Sequence, residues 1–103
     1  MDRIETLKSM LREDPRNNLA RYGLAMEYLK AGTLEEAAGE FRALLEINEN
    51  YVAAYFHGGQ TLEKMGRVDE AREWYLRGIE ASTRAGDGHA RSELQAALEM
   101  LPE

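Results

Sequence analysis

The chain has 103 residues and a net charge of −6, from 13 Lys and Arg against 19 Asp and Glu. That is length for one domain spanning 1–103, and the sign argues against wrapping a phosphate backbone, where affinity comes from cations that displace condensed counterions. Cysteine is absent, which excludes disulfides and thiolate metal sites and leaves the redox compartment open.

In chain order, residues 2–13 carry Ile4, Leu7, Met10 and Leu11 on one helical face, and Asp14-Pro15 ends that helix because the residue before proline is pushed out of the helical region. The charges of this stretch, Asp2, Arg3, Glu5 and Lys8, stand where a signal peptide needs an apolar run. Residues 19–31 form the next helix, with Ala20, Leu24, Tyr28 and Ala31 as its stripe and Gly32 as its stop. Thr33 is the expected N-cap of a helix over 34–47, with Glu36 completing a capping box and Leu34, Ala37, Phe41, Leu44, Leu45 and Ile47 as the buried face.

Residues 52–65 repeat the pattern with Ala54, Tyr55, Gly58, Leu62 and Met65, and Gly66 is again the stop. A helix over 68–82 follows, carrying Val68, Ala71, Tyr75 and Ile79. The last helix covers 88–101, with Asp87 as its cap and Ala90, Leu94, Ala97, Leu98 and Leu101 on its apolar side. No segment alternates with period two, and no run approaches the roughly 20 apolar residues of a membrane-spanning helix. The expectation is a soluble cytoplasmic protein of six helices, with neither nucleic acid nor membrane as partner.

Two of these helix pairs are one unit written twice. Gly-Thr-Leu-Glu-Glu-Ala at 32–37 and Gly-Arg-Val-Asp-Glu-Ala at 66–71 stand 34 residues apart. A fixed period of this size marks a solenoid, whose units bury their apolar faces only by stacking. The small Ala37 and Ala71 suit close helix approach, while Phe41 and Tyr75 suit the space between units.

With those residues in place, the chain resembles the tetratricopeptide repeat family, whose unit reads W-x2-L-G-x2-Y, A-x3-F and P. One copy, 18–51, has Arg21, Leu24, Ala25, Tyr28, Gly32, Ala37 and Phe41 at the matching places; the other, 52–85, has Tyr55, Gly58, Gly59, Leu62, Gly66, Ala71 and Tyr75. The helix 2–13 is similar to the second half of a unit, with Leu7 at the aromatic place and Pro15 at the terminal proline. The final helix, with Leu94, Gln95 and Leu98, is similar to a first half displaced to 36 residues after the second copy. Glu49 and Thr83 replace the terminal proline of the central copies. The resemblance implies an all-α, right-handed helix-turn-helix solenoid of about six antiparallel helices, acting as a protein-binding scaffold with no cofactor.

Residues for other chemistry are sparse. His57 and His89 lack a second histidine or cysteine at ligand spacing, so no metal site is expected. Gly86-Asp87-Gly88 follows a helix and lacks the strand-turn-helix setting of a phosphate loop, so it reads as a turn. Glu35, Glu36, Asp69 and Glu70 lie where helix starts favour negative charge. Ser9, Ser82 and Ser92 sit in no nucleophile motif, and no catalytic residue is expected.

The resemblance also implies that the first helix of each unit lines an inner concave face. On 19–31, Leu19, Tyr22, Met26 and Leu29 make a second apolar stripe beside the core stripe, with Lys30 at its end. A helix apolar on two faces normally buries both. The second face is open to a peptide or protein partner, to a second copy of this chain, or to cover by the chain's own termini. The equivalent face of the next such helix has Ala53, Phe56, His57, Gln60, Glu63 and Lys64, so the expected groove grades from apolar to polar. Its few cations speak against clamping a C-terminal carboxylate and favour a segment with large apolar anchors. A homodimer module or an enzyme's regulatory subunit is the alternative. Trp74 reads as a partly buried residue packed beside the final helix.

Overall fold

Residues 2–103 are described by the computed structural model, and their helices are α1 (Arg3–Glu13), α2 (Asn18–Ala31), α3 (Leu34–Ile47), α4 (Val52–Lys64), α5 (Val68–Ala85) and α6 (Gly88–Glu99). No strand occurs among the described residues. Side-chain caps start three of the helices: Asp2, Asn17 and Asp87 accept the backbone N–H of Glu5, Ala20 and Ala90 at 2.8, 3.0 and 3.0 Å. Each satisfies one of the donors that a helix start leaves unpaired.

The stops at α2, α4 and α5 share one geometry. Gly32, Gly66 and Gly86 take φ of 81°, 79° and 69°, left-handed values at which a side chain is strained. The following N–H groups, of Thr33, Arg67 and Asp87, reach back to Tyr28, Leu62 and Ser82 oxygens at 3.0, 2.9 and 2.9 Å. This double closure turns the chain sharply back on itself.

Several boundaries and burials depart from expectation. Thr33 makes no side-chain cap for α3; its hydroxyl donates to the Tyr28 carbonyl at 3.0 Å and so closes α2 instead. Helix α5 runs past 82 to Ala85, because neither glycine nor proline occurs between Ser82 and Gly86 and nothing stops its hydrogen-bond ladder there. Helix α6 ends at Glu99, although Leu101 beyond it remains buried. Met65 is the C-terminal cap residue of α4 rather than part of its last turn, and Asp2 is the N-cap of α1. Ala31 and Met10 are exposed, since the chain turns away at Gly32 and α1 meets only one neighbouring helix.

Packing follows chain order, each helix against the next, which is the arrangement that short connections between antiparallel helices impose. The main core joins α2 to α6 around Phe41, Leu44, Tyr55, Leu62, Tyr75 and Leu94, and a smaller cluster of Leu7, Ala20 and Leu24 lies beneath α1. Ala37 and Ala71 are fully buried at the close approaches. A stack of helix pairs is longer than it is thick, and the extents are 41 × 29 × 19 Å.

One asymmetry positions the binding face. Cα atoms of α2 and α4, and of α4 and α6, approach within 8 Å, whereas no such approach joins α1 with α3 or α3 with α5 among the described residues. The alternate helices α2, α4 and α6 therefore form the tighter, inner row of a curved stack, and α1, α3 and α5 the splayed outer row.

Trp74 belongs to the outer row. Its ring lies against Gly58 and near Phe41, with the Arg42 guanidinium 5.8 Å from its centroid. The contacts seen for Trp74 are thus with α4 and α3 rather than the expected α6, whereas Gly78 is among the α5 residues that meet α6 and lies against Leu94. In a helix, positions 74 and 78 share a side, but the turn between them is enough to pass from one neighbour to another.

Candidate functional site

Three cavities lie along or beside the inner row, two of them sharing Phe56 and Glu93. The first, about 510 Å³, lies between α1 and α2 and is lined by Leu7, Leu19, Tyr22, Gly23 and Met26 among others. Arg3 and Glu27 stand at it as an ion pair, 3.2 Å apart. Leu19 is 74% exposed, so the sequence's second apolar stripe is not covered at this end.

Tyr22 links this cavity to the middle of the row. Its ring centroid is 6.3 Å from Phe41, 5.3 Å from Tyr51 and 6.1 Å from His57, which fixes the ring without burying it fully. Burial, and then the neighbouring Tyr51, raise the Tyr22 pKa, and burial raises that of Tyr51. Both phenols remain neutral hydrogen-bonding groups beside apolar surface.

The second and third cavities lie between α4 and α6. Ala53, Phe56 and His57 face Asp87, Ala90 and Glu93 across a space of about 150 Å³. Phe56, Gln60 and Glu63 face Glu93, Ala97 and Met100 across about 390 Å³. His57 and Phe56 rings meet edge to face at 5.2 Å. Burial lowers the His57 pKa, and the Gln60 amide and Glu93 charge act in the opposite direction. The dominant effect keeps the imidazole neutral.

Of the residues expected at a groove, Leu19, Tyr22 and Met26 come together in the first cavity, and Ala53, Phe56, His57, Gln60 and Glu63 in the other two. Leu29 is half-buried against the main core, and Lys30 and Lys64 are exposed outside all three cavities. Residues not expected at the groove are the α6 face of the cavities, Asp87, Ala90, Glu93, Ala97 and Met100, and Tyr51, which lines none of the cavities but stands 5.3 Å from the Tyr22 ring. That face could have been found from the similarity of α6 to the first half of a unit, because Asp87, Ala90, Glu93, Ala97 and Met100 recur at helical spacing. Tyr51 sits just before α4 and carried no such signal. No group of three His, Asp or Glu able to hold a metal occurs among the described residues.

A family model described as tetratricopeptide repeat matches residues 4–52 and 28–86. A TPR repeat-containing protein of Pseudomonas aeruginosa is 32% identical over 98 residues, which cover 95% of this chain and 93% of that relative. The solution structure of a tetratricopeptide repeat domain protein from Salinibacter ruber is similar at 37% identity with a TM-score of 0.78, over 84% of this chain and 87% of that one. The TPR2B domain of yeast Sti1, solved in complex with pHsp70, has a TM-score of 0.87 at 16% identity, over 93% and 77% of the two chains. At that identity the likeness concerns the fold.

Proposed function

The chain belongs to the tetratricopeptide repeat family, and from that premise we propose that it is a protein-interaction scaffold without catalysis of its own. Its two repeats, 18–51 and 52–85, together with α6, present the α2, α4 and α6 face to a peptide or helix of a partner protein. The observation that carries this reading is the first cavity: Leu19, Tyr22 and Met26 line an open space of about 510 Å³, where Leu19 is 74% exposed and Tyr22 and Met26 pack on the core without being fully covered by it. Open apolar cavities flanked by a few polar groups are where ligands dock. The yeast Sti1 domain in its pHsp70 complex is support in kind, from a similar fold.

Partner segments with large apolar anchors suit Tyr22, Met26 and Phe56. Placement in the cytoplasm is part of the proposal; no helix among the described residues is long and apolar enough to cross a membrane. Affinity capture with the purified domain tests the reading. A captured protein should be lost from Met26→Glu, and a peptide from it should perturb the resonances of Tyr22, Met26 and Phe56. A partner held equally by parent and variant would refute this use of the groove.

Self-association is the second reading, favoured by Met10 and Leu19, which are 42% and 74% exposed at the same cavity. Light scattering over a concentration range separates the two.

A further inference from the structure

Resting on the groove reading, we propose that the partner segment is basic: apolar anchors set against α2 and α4, with Lys or Arg side chains directed at the α4–α6 half. The two cavities of that half are lined by Glu63, Asp87 and Glu93, and neither is lined by lysine or arginine.

Five carboxylates outside this half have arginine partners. Glu27, Glu40, Glu70, Glu35 and Asp69 are paired with Arg3, Arg21, Arg42, Arg67 and Arg72. The groove carboxylates have no such cation among the described residues. Glu63 accepts the Tyr75 hydroxyl, Asp87 accepts the Ala90 N–H, and Glu93 has only His89 at 3.4 Å, which is charged only when protonated. A basic side chain in either cavity would meet one or two carboxylates without displacing a cation already there.

The apolar part of the same half is also uncovered. Phe56 is half-exposed between the two cavities, and Met100, at the far side of the larger one, is 82% exposed. A segment that offers only charge would leave this surface wet, and one that offers only apolar groups would place it against three carboxylates without a lysine or arginine partner. An acidic segment meets repulsion there, which is discrimination by exclusion as well as attraction. Residues 86–103 carry a net charge of −3, so the field over this end also steers basic partners inward.

Three synthetic amphipathic peptides with a common leucine face and a lysine, glutamine or glutamate polar face are the probes, titrated by NMR into the full chain. The lysine peptide should bind about tenfold tighter than the glutamine peptide, and the glutamate peptide weakest. That gap should close between about 0.01 M and about 1 M salt, as the Debye length falls from about 30 Å to about 3 Å. The double variant Asp87→Asn, Glu93→Gln keeps an N-cap and alters one exposed residue, and should lose most of the lysine preference. Equal binding of the lysine and glutamine peptides, with Tyr22, Met26 and Phe56 perturbed by both, would overturn the basic-partner inference and leave the groove reading standing. A lysine preference that survives in the double variant would overturn it as well. Failure of all three peptides to perturb those resonances would overturn both.

Discussion

Trp74 lies against the backbone of Gly58, so close that a Cβ on Gly58 would overlap the indole ring and come within 3.3 Å of the Phe41 Cβ. The contact lets α4 approach both α3 and α5, and it turns one glycine into a packing element. Gly39, on the exposed side of α3, has nothing within 4 Å of the same position. The two sites should respond to one substitution with opposite signs.

Gly58→Ala should destabilise by about 1–3 kcal/mol through overpacking against Trp74. Gly39→Ala should stabilise by about 0.5–1 kcal/mol, because it meets no neighbour and reduces the freedom of the unfolded chain. Chemical denaturation of both variants checks the pair, and a stabilising Gly58→Ala would mean that Trp74 does not occupy this position.

Met26→Glu should weaken partner binding by about 2 kcal/mol, roughly 30-fold in Kd, with helix content nearly unchanged. Met26 is only half-buried, so the carboxylate reaches water in the free chain and is desolvated on binding. Circular dichroism beside a binding titration is the check. An unfolded variant would assign Met26 to the core.

Removal of α6 by ending the chain after Gly86 should lower the melting temperature and promote association. Leu94 is buried against Gly78, and its loss alone is equivalent to a large-to-small core change of about 2–5 kcal/mol. Trp74 emission should stay close to that of the intact chain, since its neighbours are Gly58, Phe41 and Arg42 rather than α6. Unchanged melting and no association would show α6 to be a detached tail.

Stability should fall at both ends of the pH range for identifiable reasons. Burial lowers the His57 pKa from 6.5, so the unfolded chain takes up a proton first. The contribution of neutral His57 is present above about pH 6.5 and lost as pH falls through the folded value. Tyr75 is raised above 10.0 by burial and then by the hydrogen bond and charge of Glu63, so its contribution is complete below about pH 10 and lost as pH rises further. His57→Gln should flatten the acid limb and Tyr75→Phe the alkaline limb of denaturation midpoints plotted against pH. Limbs unaltered in the variants would assign the dependence to other groups.

Sequence by itself was enough for the helices and their turns, because the determinants are local: a stripe at 3.6-residue spacing, glycines with left-handed φ at 32, 66 and 86, and the cap at Asp87. Where a local signal was weak, the boundary moved, as at the end of α5, where no breaker stands before Gly86. The faces of α2 and α4 could also be listed, since residues that share a face are set by spacing alone. Only the tertiary structure decided which neighbour each face meets. Tyr22 stands with Tyr51 and His57, Trp74 turns from α6 toward Arg42 and Gly58, and the carboxylates of α6 come to face Phe56. These pairings join residues far apart in the chain. They depend on how tightly the inner and outer rows stack, which follows from side-chain volumes summed over several helices and leaves no mark in the periodicity of any one of them.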